Sequence, residues 1–156
     1  MKIRKATKKD WKEFQILAKK SDRYPTYWSK QRFPNFINNK EQLILLAEEK
    51  KKLIGFVGLQ KNYNDKRVSK KINTNNLTYI AWIAILPELR RLNIGSKLLK
   101  ECEKITKKWN KEGIWLTCKK DVINFYKKNN YRLKGFFIKE FKEKKFRKYF
   151  MEKILK

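Results

Sequence analysis

The chain of 156 residues contains no histidine. This absence excludes serine–histidine and cysteine–histidine nucleophiles, histidine as a general acid or base, and every histidine-containing metal site. The chain has only two cysteines, too few for a structural zinc site or a disulfide framework. The sequence therefore predicts no bound metal, and any catalysis has to come from other side chains or from the backbone.

Acidic residues are also scarce. Lys and Arg together number 42 and Asp and Glu 15, for a formal net charge of +27 at pH 7. Such a surface attracts polyanions such as nucleic acid or ribosomes, and it can steer an acidic substrate inward. A compositional origin is also open, because Lys, Asn and Ile are all abundant, as expected from an A/T-rich genome. The basic residues are spread over every segment, which favours composition and predicts a non-specific attraction for nucleic acid.

Long hydrophobic runs are absent as well. No apolar stretch is long enough to span a bilayer, and residues 1–4 lack the apolar core of a signal peptide. We therefore expect no membrane partner and a cytoplasmic protein. With 41% hydrophobic and 14% aromatic residues, the chain is expected to fold. Its length fits a single domain, residues 1–156, acting as a monomer or a homodimer.

Hydrophobic periodicity predicts alternating strands and helices. Strands are expected at residues 2–6, 43–47, 53–59, 77–86, 114–118, 131–141 and 146–155. Helices are expected at residues 11–20, 94–109 and 122–128. Thr7 and Asp10 have the spacing of a capping box, and Asp121 is predicted to cap the last helix. Asn129 and Asn130 are predicted to close that helix in a left-handed conformation.

Two segments lack a clear period. Residues 21–40 contain Pro25 and Pro34, which argue against one long helix. Their aromatic residues are Tyr24, Tyr27, Trp28, Phe33 and Phe36. A loop plus a short helix covering the sheet edge and a wall of an acceptor pocket are both open interpretations. Residues 61–76 are polar and are predicted to be a mobile hairpin loop.

The strand and helix within residues 77–104 organise the chain. Residues 77–86 are almost all apolar, which predicts a strand buried on both faces, and Pro87 ends it because proline cannot donate to a sheet ladder. The apolar residues that follow have helical spacing: Ile94, Leu98, Cys102 and Ile105. Cys102 is therefore predicted to lie in the core.

The turn before this helix is a candidate anion site. The first amides of a helix have no partner within the helix, and the helix dipole adds partial positive charge there. Arg90, Arg91 and Lys97 add full positive charges around the turn. A pyrophosphate group would fit, and a loop that merely caps the helix explains the same residues.

The segment Arg90-Arg-Leu-Asn-Ile-Gly95-Ser96 resembles the pyrophosphate loop of the GNAT superfamily of acyl-CoA-dependent N-acyltransferases. The family pattern is Arg or Gln, two variable residues, Gly, a variable residue, and Gly or Ala. Arg90 and Gly95 match, and Asn93 stands where the first Gly is usual; Asn adopts positive φ more readily than other non-Gly residues. The resemblance implies that this loop binds the cofactor through Arg90, Arg91, Leu92, Asn93, Ile94, Gly95 and Ser96.

A second resemblance lies further along the chain. The segment Asn124-Phe-Tyr-Lys-Lys-Asn-Asn-Tyr131 resembles the family's Phe-Tyr-Glu-Lys-x-Gly-Phe, with Asn130 in place of Gly and Tyr131 in place of Phe. It implies that the hydroxyl of Tyr126 donates a proton to the leaving thiolate. Packing of an aromatic ring against the sheet is the alternative explanation for Tyr126. Asn124 is a further candidate for contact with the cofactor.

The order of elements resembles the same family over essentially the whole chain. It implies an α/β (α+β) fold, with a mixed, mostly antiparallel central sheet of about seven strands flanked by about four helices. In the family the central strand bulges and leaves its neighbour, which frees backbone groups for the pantetheine arm and the thioester oxygen. By this resemblance those groups belong to Ile83, Ala84 and Ile85.

The implied function is that of an acetyl-CoA-dependent N-acetyltransferase. The acetyl group would pass directly from the coenzyme A thioester to a primary amine of a small molecule, a protein or a peptide, without a metal. Asn at both usual Gly positions keeps a second hypothesis open: a catalytically weak or inactive module of this fold that binds RNA, a ribosome or an acidic protein.

Two roles are not assigned by the resemblance. The general base has no candidate with a spacing argument among Glu48, Glu49, Glu101 and Glu103. An acyl-cysteine route through Cys118 is conceivable. Without a histidine, and because direct transfer is usual in the family, we predict that Cys118 is a buried thiol.

Overall fold

The computed structural model describes residues 1–21 and 26–155, and for residues 26–29 the backbone alone. Tyr24 and Pro25, and the side chains of Tyr27 and Trp28, lie outside this description, as does their predicted place in an acceptor pocket. The elements along the chain are β1 (Lys2–Lys5), α1 (Trp11–Ser21), α2 (Thr26–Ile37), β2 (Gln42–Glu49), β3 (Lys52–Gln60), α3 (Lys66–Ser69), β4 (Leu77–Ile85), α4 (Ile94–Lys108), β5 (Gly113–Cys118), α5 (Ile123–Lys128), β6 (Arg132–Phe141) and β7 (Lys144–Ile154).

The seven strands form one sheet in the order β1-β2-β3-β4-β5-β7-β6. Pairs β1–β2, β2–β3, β5–β7 and β6–β7 are antiparallel, and β4–β5 is parallel. The predicted mixed, mostly antiparallel sheet is thereby confirmed, with five α-helices in the described residues where about four were expected. Both tight hairpins turn through two residues at positive φ, Lys50 with Lys51 and Lys142 with Glu143, which matches the right-handed twist of the strands.

The chain divides into two compact units. The first unit contains Met1–Gln60 and Ala81–Cys102, and the second contains Lys61–Ile80 and Glu103–Lys156. Strand β4 therefore contributes its first four residues to the second unit and the rest to the first. That residues 1–156 act as one domain stays a prediction.

Aromatic residues form the core of the first unit. The rings of Phe14, Phe56 and Trp82 lie with their centres 4.8 to 5.3 Å apart at interplanar angles of 65° to 82°. Edge-to-face contacts of this kind are favourable because ring edges are positive and ring faces negative. Gly58 makes room for the cluster, since a Cβ there would lie 3.2 Å from Phe36 and 3.5 Å from Trp82. Trp82 thus holds β4 against the helices α1 and α2.

The start of α1 is fixed by an acidic side chain. Asp10 accepts hydrogen bonds from the Thr7 amide at 2.8 Å and from both terminal nitrogens of Arg4 at 2.9 and 2.7 Å. The predicted capping box of Thr7 and Asp10 is confirmed, within a short 3-10 turn that leads into the helix. The sequence did not predict the contact of Arg4 with Asp10, which joins β1 to this turn.

The second unit shows that residues 61–76 are not the mobile loop that the sequence predicts. They contain α3 and a 3-10 turn, and they bury Val68 and Ile72 against Trp115 and Phe150. Asp65 caps α3 by accepting a hydrogen bond from the Arg67 amide at 2.9 Å. Two buried apolar residues and a capped turn are enough to order a polar connection.

Residues 21–40 contain one helix of 12 residues, α2, which begins after Pro25. Pro34 lies inside α2, and its carbonyl accepts a hydrogen bond from the Asn38 amide at 3.1 Å. The one bond that a proline cannot make would reach Lys30, which is at an exposed position. Asp121 does not cap α5, because Val122 precedes that helix without a side-chain cap.

Candidate active site

The turn before α4 is open to solvent. After β4, a 3-10 turn at Pro87–Leu89 leads into residues 90–93, all of them exposed, and α4 begins at the buried Ile94. Arg91 has φ of 68° and Asn93 has φ of 66°. Asn adopts this left-handed region readily, whereas Arg does so at a cost in backbone energy. Strained backbone of this kind concentrates at functional sites.

The helix start leaves three amides without an intrahelical acceptor. The first carbonyl bonded by α4 is that of Asn93, which accepts a hydrogen bond from the Lys97 amide at 3.1 Å. The amides of Ile94, Gly95 and Ser96 precede that bond and so belong to the unpaired first turn. With the helix dipole, they form an electropositive end suited to a phosphate or pyrophosphate group.

The side chain of Arg90 is an anchor within the first unit. Its Nη2 donates to the carbonyl of Ser21 at 3.0 Å, and its Nε lies 3.3 Å from the carbonyl of Ile85. Ser21 is the last residue of α1 and Ile85 is the last residue of β4, so the guanidinium of Arg90 holds the ends of both elements to the loop before α4. Sequence reasoning assigned Arg90 to the cofactor and did not detect this role, because both acceptors are backbone groups and leave no sequence signal.

The end of β4 is less buried than the sequence predicts. Trp82 is buried, whereas Ile83, Ala84 and Ile85 are each half-buried. The parallel register of β4 with β5 covers Leu77–Ile80, and Ile83–Ile85 come after it. The strand is therefore buried along one face from Thr78 to Trp82 and only half-buried along the other face after Leu77. Its last residues are those to which the resemblance assigns backbone contacts with the cofactor.

Gly55 on β3 allows the chain to approach the end of β4 closely. A Cβ at Gly55 would lie 2.6 Å from Cδ1 of Ile85 and 3.2 Å from the carbonyl oxygen of Ala84. The Leu86 amide donates to the carbonyl of Ile54 at 2.9 Å, which holds the two strands together at this point. A side chain at position 55 would therefore collide with the end of β4.

Tyr126 and Asn124 lie on α5 in the second unit. Asn124 is exposed, whereas Tyr126 is 5% exposed and its ring contacts those of Phe125 and Tyr131, with centres 5.0 and 5.7 Å away. The Tyr131 amide donates to the carbonyl of Tyr126 at 3.0 Å, and Asn130 has φ of 69°. This is a Schellman closure with Asn130 in the position where Gly is usual, as the sequence predicts, whereas Asn129 has φ of −94° and is not left-handed.

The carboxylates considered as a general base are largely paired with cations. Glu48 lies 3.4 Å from Arg4, Glu49 lies 3.2 Å from the N-terminal amine, and Glu103 is paired with Lys153. These three side chains are therefore occupied by cations, and no contact given for the described residues marks Glu101 or another carboxylate as the base.

Cys118 is a buried, unpaired thiol. Burial raises the pKa of its thiol to about 11, so the thiolate is scarce at neutral pH. Its sulfur lies 3.9 Å from that of Met151. The predicted burial is confirmed. Within the described residues there is no cluster of three or more potential metal-ligating side chains, and no helix has the length and apolarity to cross a membrane.

The site residues thus fall into two groups. The first unit brings Ile83, Ala84 and Ile85 together with the loop from Arg90 to Ser96, because strand and loop are continuous in the chain. The second unit carries Tyr126 and Asn124 on one short helix.

Comparison with known proteins identifies the fold. The chain resembles an acetyltransferase of the GNAT family from Streptococcus pneumoniae, with 18% identity over 99% of both chains and a TM-score of 0.75. It also resembles the PaiA N-acetyltransferase from Thermoplasma acidophilum in complex with coenzyme A, with 23% identity over 99% of this chain and 98% of that one, and a TM-score of 0.69. A ribosomal-protein-S18-alanine N-acetyltransferase from Escherichia coli shares 15% identity over 98% and 92% of the two chains, with a TM-score of 0.75.

By sequence, the chain matches a family model but no single curated protein. The model of the Acetyltransferase (GNAT) family matches residues 7–131, which include both the α4 turn and Tyr126. The match spans most of the sequence, and the chain belongs to the acetyltransferase (GNAT) family.

Proposed function

We propose that this protein is an acetyl-CoA-dependent N-acetyltransferase that moves an acetyl group directly to a primary amine. The observation that carries the proposal is the open start of α4, where three unpaired amides follow an exposed loop with two residues at positive φ. Membership of the family supports it. The similar protein from Thermoplasma acidophilum, which is bound to coenzyme A, points to the same cofactor.

The loop has the chemistry that a pyrophosphate requires. Backbone amides of Ile94, Gly95 and Ser96 would donate hydrogen bonds, and the exposed cations of Arg91 and Lys97 would balance the negative charge. Asn93 and Leu92, both exposed, leave the loop uncovered by the core. When bound, acetyl-CoA supplies an acetyl group activated as a thioester.

The remaining steps belong to the protein. Backbone groups of Ile83, Ala84 and Ile85 would orient the pantetheine arm and polarise the acetyl carbonyl. The hydroxyl of Tyr126 would donate a proton to the thioester sulfur when the amine nitrogen replaces that sulfur on the acetyl carbon. Asn124 would contact the cofactor from the same helix. Because Glu48, Glu49 and Glu103 are paired with cations, water is the proposed acceptor for the proton that the substrate ammonium loses before its nitrogen attacks.

The proposal is tested by measuring thiol release from acetyl-CoA across a panel of amines that includes small amines, amino acids, lysine peptides and peptide N-termini. Replacing Tyr126 by Phe should lower kcat by about 100-fold or more, the lower end of the range for general acid catalysis. The affinity for acetyl-CoA should change by less than about twofold, because the hydroxyl acts in the transition state.

Tyr131→Phe is the matched control. It removes another buried hydroxyl whose ring lies 5.7 Å from that of Tyr126, and its kcat should stay near that of the wild type. Equal turnover in Tyr126→Phe and the wild type would remove Tyr126 as the acid. Absence of thermal stabilisation by millimolar acetyl-CoA would contradict the cofactor and favour a binding module of this fold. A cytoplasmic location stays a prediction from the sequence.

A further inference from the structure

The hairpin of β6 and β7 forms a cationic and aromatic surface that the proposed transferase chemistry does not use. We call residues 119–121 and 132–149 the hairpin surface. It includes an open depression of about 680 Å³ that five cationic side chains line: Lys119, Lys120, Lys144, Lys145 and Arg147. Its single carboxylate is that of Asp121.

Basic side chains far outnumber acidic side chains on this surface. The hairpin surface has ten basic and three acidic side chains. None of the five lining cations has an ion-pair partner among the residues that the structure describes. A groove of like charge raises the local concentration of a polyanion and speeds its approach.

Aromatic rings are interleaved with these cations. The guanidinium carbon of Arg147 lies 4.4 Å from the ring centre of Phe136, and the Nζ of Lys119 lies 5.2 Å from that of Phe146. The ring of Tyr149 lies 5.9 Å from that of Phe136. Phe136 shares a face of the hairpin with Arg147 and Tyr149 and is 45% exposed. Exposed rings and stacked guanidinium planes are the groups on which unpaired nucleic acid bases stack.

We propose that the hairpin surface binds single-stranded nucleic acid. The lysines of the depression and the guanidinium of Arg147 would contact phosphates, and Phe136 with Tyr149 would stack on bases. A duplex offers no unstacked base to these rings. A membrane partner would favour a continuous apolar patch, whereas here cations lie over the rings of Phe136 and Phe146. β6 has ten residues and is roughly 33 Å long, which is enough for an extended nucleic acid strand to run along it beyond the depression.

The test is fluorescence anisotropy with a labelled 12-nucleotide oligouridylate, in RNA and DNA forms, at two salt concentrations. The double variant Lys144→Glu, Lys145→Glu should weaken binding by at least tenfold and flatten its salt dependence, because fewer phosphate contacts release fewer counterions. The matched control is Lys50→Glu, Lys51→Glu, at the exposed β2–β3 turn. It makes the same change in net charge and should weaken binding by less than threefold.

A second pair of variants separates stacking from charge. Phe136→Leu should weaken binding of the oligonucleotide at least fivefold and leave binding of inorganic polyphosphate unchanged. Ile138→Leu, at a neighbouring exposed position on β6, should leave both unchanged. Melting temperatures of all four variants check that the fold is kept.

Four results would overturn the proposal: equal weakening by the two lysine pairs, no effect of Phe136→Leu, equal affinity for a 12-base-pair duplex, or equal affinity for vesicles containing phosphatidylserine. The first would assign binding to net charge spread over the whole protein. None of these measurements involves acetyl-CoA, so their failure and the failure of the transferase proposal are distinguishable.

Discussion

Replacing Arg91 by Gly should stabilise the fold while weakening its proposed cofactor site. Arg91 has φ of 68° and is exposed. A left-handed conformation costs a non-Gly residue about 1 to 2 kcal/mol, which the substitution removes. About 0.5 to 1 kcal/mol of this gain is lost again, because Gly gives the unfolded chain more conformational entropy. The net gain in unfolding free energy is about 0.5 kcal/mol, which raises Tm by about 1 to 2 °C in a protein of this size.

The same substitution removes a cation from the turn that would face the pyrophosphate. For an exposed charge we expect an effect near the top of the range for surface ion pairs, or about fivefold in the Kd of acetyl-CoA. The assay is calorimetric titration with acetyl-CoA, together with thermal melting of the unliganded protein. The two readouts should move in opposite senses, which a purely structural role for Arg91 does not produce.

Lys51→Gly is the matched control for this prediction. Lys51 is exposed, has φ of 65° and lies in the β2–β3 turn. Its replacement should raise Tm by a similar amount, with the affinity for acetyl-CoA unchanged. Wild-type affinity in Arg91→Gly would refute the assignment of this turn to the cofactor. A fall in Tm of more than about 2 °C would show that the Arg91 side chain holds the loop in place.

Two further predictions concern stability and reactivity. Arg4→Met should cost about 2 to 3 kcal/mol of unfolding free energy, because it leaves the buried carboxylate of Asp10 without its main partner; Arg67→Met should cost less, because the Arg67 side chain is half exposed and its partner Asp65 is only two residues away. The Arg4 guanidinium lowers the pKa of Asp10, so this stabilisation is present above about pH 4 and disappears as the pH falls through the lowered pKa. Urea unfolding of both variants between pH 2 and 7 checks this: the loss of unfolding free energy caused by Arg4→Met should shrink as the pH falls below about 4, and a loss that stays constant down to pH 2 would contradict it. Cys118, whose pKa burial raises to about 11, should resist iodoacetamide at pH 8 in the folded protein and react in urea; rapid labelling of the folded protein, followed by mass spectrometry, would contradict its burial.

Sequence alone was sufficient where one local signal decided the structure. The short continuous apolar runs of β2 and β3 and the apolar spacing of α4 predicted those elements to within a few residues. The two departures from the family's Gly pattern were also predictable in their effect. Asn93 and Asn130 both adopt positive φ, at 66° and 69°, so Asn meets the same conformational demand as Gly at both positions.

Sequence reasoning failed where tertiary contacts decided the structure. Residues 61–76 are polar overall, and the two residues that order them, Val68 and Ile72, are too few to give a period. The positive φ of Arg91 has no signal in its residue type. Arg90 binds two carbonyls, those of Ser21 and Ile85, and a carbonyl belongs to every residue. Contacts to backbone groups are therefore the part of this site that sequence cannot predict.

The most direct test of the proposed cofactor site is a titration of ¹⁵N-labelled protein with acetyl-CoA, followed by NMR of the backbone amides. Because the amides of Ile94, Gly95 and Ser96 lie in the unpaired first turn of α4, they should show the largest shifts and saturate together with the Kd of the ligand. Saturable binding that leaves these three amides unmoved would contradict the assignment of the pyrophosphate to the start of α4.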